Sequence, residues 1–452
     1  MRQLSLGDDQ SSTDWEGASD PALPLAPSRS VGLQRLDRFV ASAGRAYQTH
    51  RNTDRGVGHH VNVSMLSPYL RHRMITETEV LEQVLAEHSE SAAFKFVQEV
   101  FWRGYWKGWL EHRSLLWPEY QRQLPKCVGY LQQDRRLWQL YEQAISGTTP
   151  IPLLNEWCTE LKETGYLHNH ARMWFASIWV FTLRLPWQLG ADFFVRHLLD
   201  GDPASNTLGW RWVAGLHTAG KTYLATPKNI RTCADERLNG RSDQELGLHR
   251  LVSKAHQIQE YLPVNALQKT EVPWPKPLQS AEQGYRCNRG RTALLLTEED
   301  LTWRPGFAIH AVTALNGSPR SVLAPASGVV QDFLTGALSD ALERAQQHWS
   351  GEAQTEAGVV IPPAPMEEYE LMNFLIEQRI DQVVCAYAPI GPARLRLETL
   401  REQLASKGIE LRFCMRDYDR MIWPHATKGF FQLGKRIPEF LQTMSFAPTV
   451  ED

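Results

Sequence analysis

Two domains in series, the first all-α and the second α/β with a parallel sheet, are the fold class this sequence predicts. Across 33–278 apolar residues recur at three- and four-residue steps, as in Ala93, Phe96, Val97, Val100 and Phe101, the period of helices that bury one face. Beyond residue 290 the pattern changes to short β-branched or apolar runs at 292–296, 308–315, 358–361, 382–389 and 411–415, separated by helical stretches near 327–347, 366–379 and 391–406. Strands alternating with helices point to βαβ units and a Rossmann-like parallel sheet. Between the two patterns, 263–290 is rich in proline and polar side chains and reads as a connection.

In order along the chain, residues 1–32 carry Ser, Asp, Pro and Gly with no apolar period and are expected to be a flexible extension. A helical domain over 33–278, a linker over 279–290 and an α/β domain over 291–452 follow, and 452 residues are enough to bury more than one core. Eleven of the sixteen tryptophans fall between Trp102 and Trp212, so the helical core is expected to be strongly aromatic. The net charge of −3 gives no global basic field, and any nucleic-acid contact must come from a local patch. Six scattered cysteines without CxxC spacing argue against a disulfide framework and against a zinc or iron–sulfur site. No metal is expected, and the cysteines suit the cytoplasm. The most apolar stretch, 173–189, is broken by Arg184 and Pro186 and the N-terminus is acidic and polar, so neither a membrane span nor an export signal is expected.

The chemistry concentrates in 168–212, which reads HNHARMWFASIWVFTLRLPWQLGADFFVRHLLDGDPASNTLGWRW. Two helical patterns end in Asp200-Gly201-Asp202-Pro203, a turn that cannot continue the helix before it. Two carboxylates beside Asn206 and a WxW pair suit a ligand with polar edges and a flat aromatic body. Upstream, Ser64 and Ser67 at a helix start read on their own as N-caps, and their hydroxyls and the free amides there also suit a diphosphate. On the helix around residue 100, Glu99, Trp102, Arg103 and Trp106 share one face.

The array Asn169, Arg172, Met173, Trp187, Asp200, Gly201, Asp202, Ala204, Asn206, Trp210 and Trp212 closely resembles the flavin-binding core of the photolyase/cryptochrome family, whose pattern is HN-x-x-R-M, a Trp, then DGD-x-A-x-N-x-x-W-x-W. Tyr47 and Arg51 stand where that family has a flavin-contacting Tyr and a basic residue. Ser64-Met65-Leu66-Ser67-Pro68-Tyr69-Leu70 resembles its SRLSPYL segment, with Met65 replacing an Arg, and Glu99 to Arg103 match its E-x-x-W-R. The resemblance implies FAD held by Tyr47, Ser64, Met65, Leu66, Ser67, Arg103, Arg172, Asp200, Gly201, Asp202 and Asn206. Arg172 and Asp200 would pair beside the isoalloxazine ring, Asp202 would face its polar edge, and Asn206 would sit near the ring nitrogen that accepts a proton. It further implies that Trp102 and Trp212 wall a cavity for a flipped cyclobutane pyrimidine dimer, that Met173 packs on the lesion, that Glu99 and Asn169 hydrogen-bond its bases, and that Arg51 lies on the DNA side. Trp210 and Trp187 match the proximal and middle members of an electron-supplying tryptophan chain. The register puts Ala144 at the distal place, with Tyr141, Trp138 or Trp157 as substitutes.

Typical members carry their α/β antenna domain first. Here RTALLLTEEDL at 291–301 looks like the first strand and loop of that domain, and 408–441 looks like its last strand and helix, which implies a swapped order and a C-terminal antenna-like domain. After Trp212 the sequence lacks the family's YFRIFNP segment: Ala225 stands near the place of a DNA-contacting Arg, with Lys221, Lys228 and Arg231 as compensating cations. The expected function is a blue-light-driven DNA photolyase, a deoxyribodipyrimidine photo-lyase that binds damaged DNA and uses reduced FAD to split cyclobutane dimers. The alternatives are a cryptochrome-like photoreceptor without repair activity and a flavoprotein with a light-independent role. No short motif assigns an antenna chromophore.

Overall fold

In the computed structural model, which describes residues 24–218, 221–258, 290–350 and 358–444, helices fill the chain as far as Arg250 and a four-stranded parallel sheet follows. The linker expected over 279–290 lies outside the described residues except for Gly290, as does the expected extension up to residue 23. Residues 24–32 depart from the flexible reading. A helix already begins at Arg29, where Ser28 Oγ caps Val31 N at 3.3 Å, and the Tyr69 hydroxyl donates to the Ala26 carbonyl at 3.0 Å. A capping serine ahead of a periodic helix satisfies an otherwise orphaned amide.

The helical half is built around the 22-residue helix Glu90–Glu111. Ser89 caps it, and the helix Pro203–Val213, begun by Asp202 and Pro203, lies against it. A β-carbon at Gly108 would come within 2.8 Å of the Trp423 Cα, so only glycine lets the backbones of the two halves approach this closely. Among the described residues, no helix is long and apolar enough to cross a membrane.

Strands β1 (Thr292–Leu296), β2 (Ala311–Ala314), β3 (Gln382–Ala386) and β4 (Glu410–Cys414) pair in the order β2-β1-β3-β4, all parallel, with Leu294 between Val312 and Val384. Every residue of β1, β2 and β3 is buried, as sheets covered on both faces require. The helices Gly328–Ser350, Glu368–Glu377 and Pro392–Ala405 supply connections. The strand expected at 358–361 is reduced to a bridge between Ala311 and Val360, because Pro362 and Pro363 cannot donate to a ladder.

The halves meet through a buried ionic cluster at the loop after β1. Arg71 donates twice to Glu299, at 2.7 and 2.8 Å. Lys107 Nζ lies 3.6 Å from Asp202 and 3.9 Å from Glu299. Arg73 spans Glu77 and Asp419, while His72 Nδ1 lies 2.6 Å from the Glu298 carbonyl. One apolar cluster runs through both halves, from Phe101 and Tyr105 to Trp423, Phe430 and Phe440.

Burial sets the response to acid. It holds His72 well below the usual imidazole range and His168 at about 3, with Asp54 opposing only part of the effect in His168. Both rings bind a proton in the unfolded chain below about pH 6.5 but not in the fold, so stability present above that pH falls as pH drops. The carboxyls of Asp202 and Asp300 behave alike lower down. Burial raises them, but Lys107 and Arg71 around Asp202 and Arg416 beside Asp300 outweigh it and keep both low. Their contribution is lost only as pH falls below about 4. The denaturant midpoint is therefore expected to fall from pH 7 to pH 5 and further below pH 4; a midpoint that stays level or rises from pH 7 to pH 5 would contradict this account.

Candidate functional site

Two clusters form around the helix Glu90–Glu111. In the first, Arg51 Nη2 donates to Glu99 Oε1 at 2.6 Å and the guanidinium lies 5.6 Å from the Tyr47 ring centre. Tyr47 is itself set edge-on against Phe39 and Phe96. The surrounding protein raises the Glu99 carboxyl, with Arg51 opposing, yet 34% of the side chain stays accessible. The Glu99 carboxyl is thus desolvated yet reachable from solvent. His168 Nε2 lies 3.1 Å from the Arg51 carbonyl, which ties the start of the Asn169–Ser177 helix to the Arg51 backbone. There Asn169 is exposed and Met173 half-buried, with Asn169 Nδ2 3.8 Å from the Met173 sulfur.

The second cluster centres on Asp200. Arg172 Nη1 donates to it at 2.9 Å and Arg172 Nε to the Leu167 carbonyl. Burial pushes the Asp200 carboxyl up, but Arg172, Arg103 and the Ser67 hydroxyl together hold it below the usual range. Arg103 Nη1 is buried without a protein partner although Arg103 acts electrostatically on both Asp200 and Asp202. An orphaned buried guanidinium N–H fits an anionic or carbonyl-rich ligand, since such a donor is costly to leave unpaired. The Ser64–Ser67 turn carries Met65 at φ 50° and a Leu66 amide 3.4 Å from Ser64 Oγ. The helix Ser67–Arg71 is only five residues long, so hydroxyls and amides, more than a helix dipole, are what the turn offers.

Other assigned residues are placed differently from a purely ligand-facing reading. Asp202 caps its helix through Ser205 N at 2.8 Å and turns its second oxygen to Lys107 and Arg71. A β-carbon at Gly201 would come within 2.6 Å of Arg320 Nη1 and 2.7 Å of the Val195 carbonyl, so this glycine serves the contact between the halves. Asn206 Nδ2 donates to the Ala191 carbonyl at 2.7 Å, which fixes the amide's orientation. Trp102, half-buried, stacks on Phe430 at 3.7 Å with 10° between the planes, and Trp212 stacks on Tyr223 at 5.7 Å. Trp210 meets Phe194 at 5.0 Å and Trp179 at 6.1 Å, whereas Trp187 stacks on Tyr120 at 5.7 Å. Arg231 pairs with Asp243 at 2.8 Å, while Lys221 and Lys228 are exposed.

Sequence reasoning missed Lys107, Glu299, Phe430 and Trp179. Lys107 carries a local signal, four residues beyond Arg103 on one helix face. A cavity of about 530 Å³ between the halves is lined by His60, Met65, Tyr166 and Phe333 among others; it reaches only Met65 of the assigned residues and adjoins the site without containing it. Among the described residues, no group of three His, Cys, Asp or Glu side chains is arranged to hold a metal ion.

Residues 96–241 match the family described as the FAD binding domain of DNA photolyase. The deoxyribodipyrimidine photo-lyase of a Synechococcus species is 29% identical over 208 residues, 44% of this chain and 40% of that protein. That of Thermus thermophilus is 32% identical over 207 residues, 45% of this chain and 47% of its own length. The chain thus spans a little under half the length of these relatives. A solved class III photolyase from Agrobacterium tumefaciens aligns at 25% identity and a TM-score of 0.39, covering 46% of this chain and 42% of its own. Fold and site define a helical FAD-binding domain joined to a parallel α/β sheet. Within its helical half the chain matches the FAD binding domain of DNA photolyase, and the cofactor this match assigns is FAD.

Proposed function

We propose that the protein is a blue-light-driven photolyase that repairs cyclobutane pyrimidine dimers in DNA. The observation that carries the reading is the Arg51–Glu99 pair, accessible at Glu99 yet desolvated, which the His168 contact to the Arg51 carbonyl joins to the helix start carrying Asn169 and Met173. Reduced FAD, when bound, supplies the light-driven electron that splits the dimer. Arg172, held by Asp200 and the Leu167 carbonyl, and the unpaired Arg103 donor hold and orient the cofactor. Tyr47 and the Ser64–Ser67 turn take its phosphates, and the anchored Asn206 amide lies at the ring. The Glu99 carboxyl stands at the base edge, where it stabilises the charge that develops there, and Asn169 adds an amide. Trp102 and Trp212 flank the extruded bases, and Lys221 and Lys228 meet the phosphate backbone. We read 33–278 as the FAD domain and 291–452 as an antenna-like domain in swapped order, in a cytoplasmic protein.

Phe430 on one face of Trp102 and the pairing of Arg231 leave less wall and less charge for DNA, and they favour a cryptochrome-like photoreceptor as the second reading. Dimer-containing and undamaged DNA, compared for binding and for blue-light repair, separate the two. Trp212→Ala is expected to lower lesion affinity by about 1–3 kcal/mol per base, the scale of lost stacking. Glu99→Ala should lower repair yield more than binding. An unmodified protein that neither prefers damaged DNA nor repairs it would move the assignment to the photoreceptor.

A further inference from the structure

We propose that the aromatic path feeding electrons to the flavin in this chain runs from Trp210 through Trp179 and Tyr141 to Trp138, and does not pass through Trp187; the inference rests on the flavin reading above. Trp210 meets Trp179 edge to face, with ring centres 6.1 Å apart and 87° between planes. Both rings close over Gly190, where a β-carbon would come within 2.2 Å of Trp210 and 3.1 Å of Trp179. Trp179 in turn meets Tyr141 at 6.0 Å, and Tyr141 meets Trp138 at 5.6 Å. The first three rings are buried and Trp138 is half-buried, so the series starts in the core and ends at water.

Trp179 owes its place to a local irregularity. It lies in a π-helical turn, Ile178–Thr182, closed by the Leu183 amide on the Ile178 carbonyl at 2.9 Å, and its indole N–H donates to the Pro186 carbonyl at 2.9 Å. Such turns recur at functional sites because they re-aim side chains within a helix. Trp187 is poorly suited to carry a positive hole. It stacks on Tyr120, and the Arg211 guanidinium lies 5.7 Å from its ring centre, so oxidation would set one positive charge against another.

One electron leaves Trp210 for photoexcited FAD, Trp179 refills Trp210, and Trp138 refills Trp179 across the intervening Tyr141 ring. Trp138, oxidised by one electron, gives its indole proton to water. The sum is one electron on the flavin, one proton in solvent and one neutral Trp138 radical.

The test is flash photolysis of the FAD-loaded full chain, following the neutral tryptophanyl radical by transient absorption, with FAD content and thermal unfolding measured for each variant. Trp179→Phe and Trp138→Phe are each expected to cut the long-lived radical yield by at least about tenfold, and Trp187→Phe by less than about threefold. Trp138 lies at the surface of the core, so its variant decides the matter even where Trp179→Phe loses FAD. A deep loss in Trp187→Phe with an undiminished signal in Trp138→Phe overturns the path and leaves the flavin reading standing. An unchanged signal in Trp210→Phe removes the flavin assignment together with the path.

Discussion

Glu299→Ala is expected to cost about 3–5 kcal/mol of folding free energy, the scale for stripping one partner from a buried ion pair. The change leaves the Arg71 guanidinium, which donates twice to Glu299, with Asp202 at 3.7 Å as its nearest remaining counter-charge, and it removes one of two carboxylates from Lys107. All four side chains keep only 2 or 3% of their surface, so water cannot replace the lost oxygens. Denaturant unfolding at pH 7 measures the effect, and a cost below about 1 kcal/mol, typical of exposed pairs, would mean that the cluster is wet. Replacing Arg71 and Glu299 together by Met and Leu should recover much of the loss, since apolar residues of similar volume often substitute for a buried pair.

Arg172→Ala is expected to weaken FAD binding by about 2 kcal/mol, roughly thirtyfold, as befits a lost charge-assisted hydrogen bond. Asp200 retains 4% of its surface and would face the cofactor with its directly bonded cation gone, leaving Arg103 and the Ser67 hydroxyl to offset its charge. Arg51→Ala should cost much less, because Arg51 and Glu99 both remain reachable by solvent, where an ion pair is worth little. Titration of FAD into apoprotein by fluorescence compares the two; equal losses would mean that Asp200 does not border the flavin.

Local periodicity made the helical half legible, and β1 lies where its apolar run begins and ends. Agreement weakens where a run's end depends on neighbours. The run at 308–315 forms a strand only over Ala311–Ala314, and Val360 makes one bridge before the prolines. The residues of the site were readable because their spacing in sequence is the spacing of one helix face or one turn: Glu99 to Arg103, Asp200 to Asn206. Phe430 against Trp102, Glu299 against Arg71 and Asp419 against Arg73 bring together residues hundreds of positions apart, and no local pattern announces a partner at that range. Trp179 was hidden differently. A regular helix through Ser177 to Leu183 would aim it elsewhere, and the π-helical turn that sets its direction has no residue signature here.

The distance in sequence between the buried charges has a consequence for how the protein is made. Glu299 follows Arg71 by 228 residues and Asp419 follows Arg73 by 346. At a synthesis rate of about 5–20 residues per second, Arg71 is made roughly ten to fifty seconds before Glu299, the first of those anions. Throughout that interval Arg71 and Lys107 lack their Glu299 counter-charge, and the face that will receive Trp423 and Phe430 is open to water. The final closure of the helical half therefore waits on translation of the sheet.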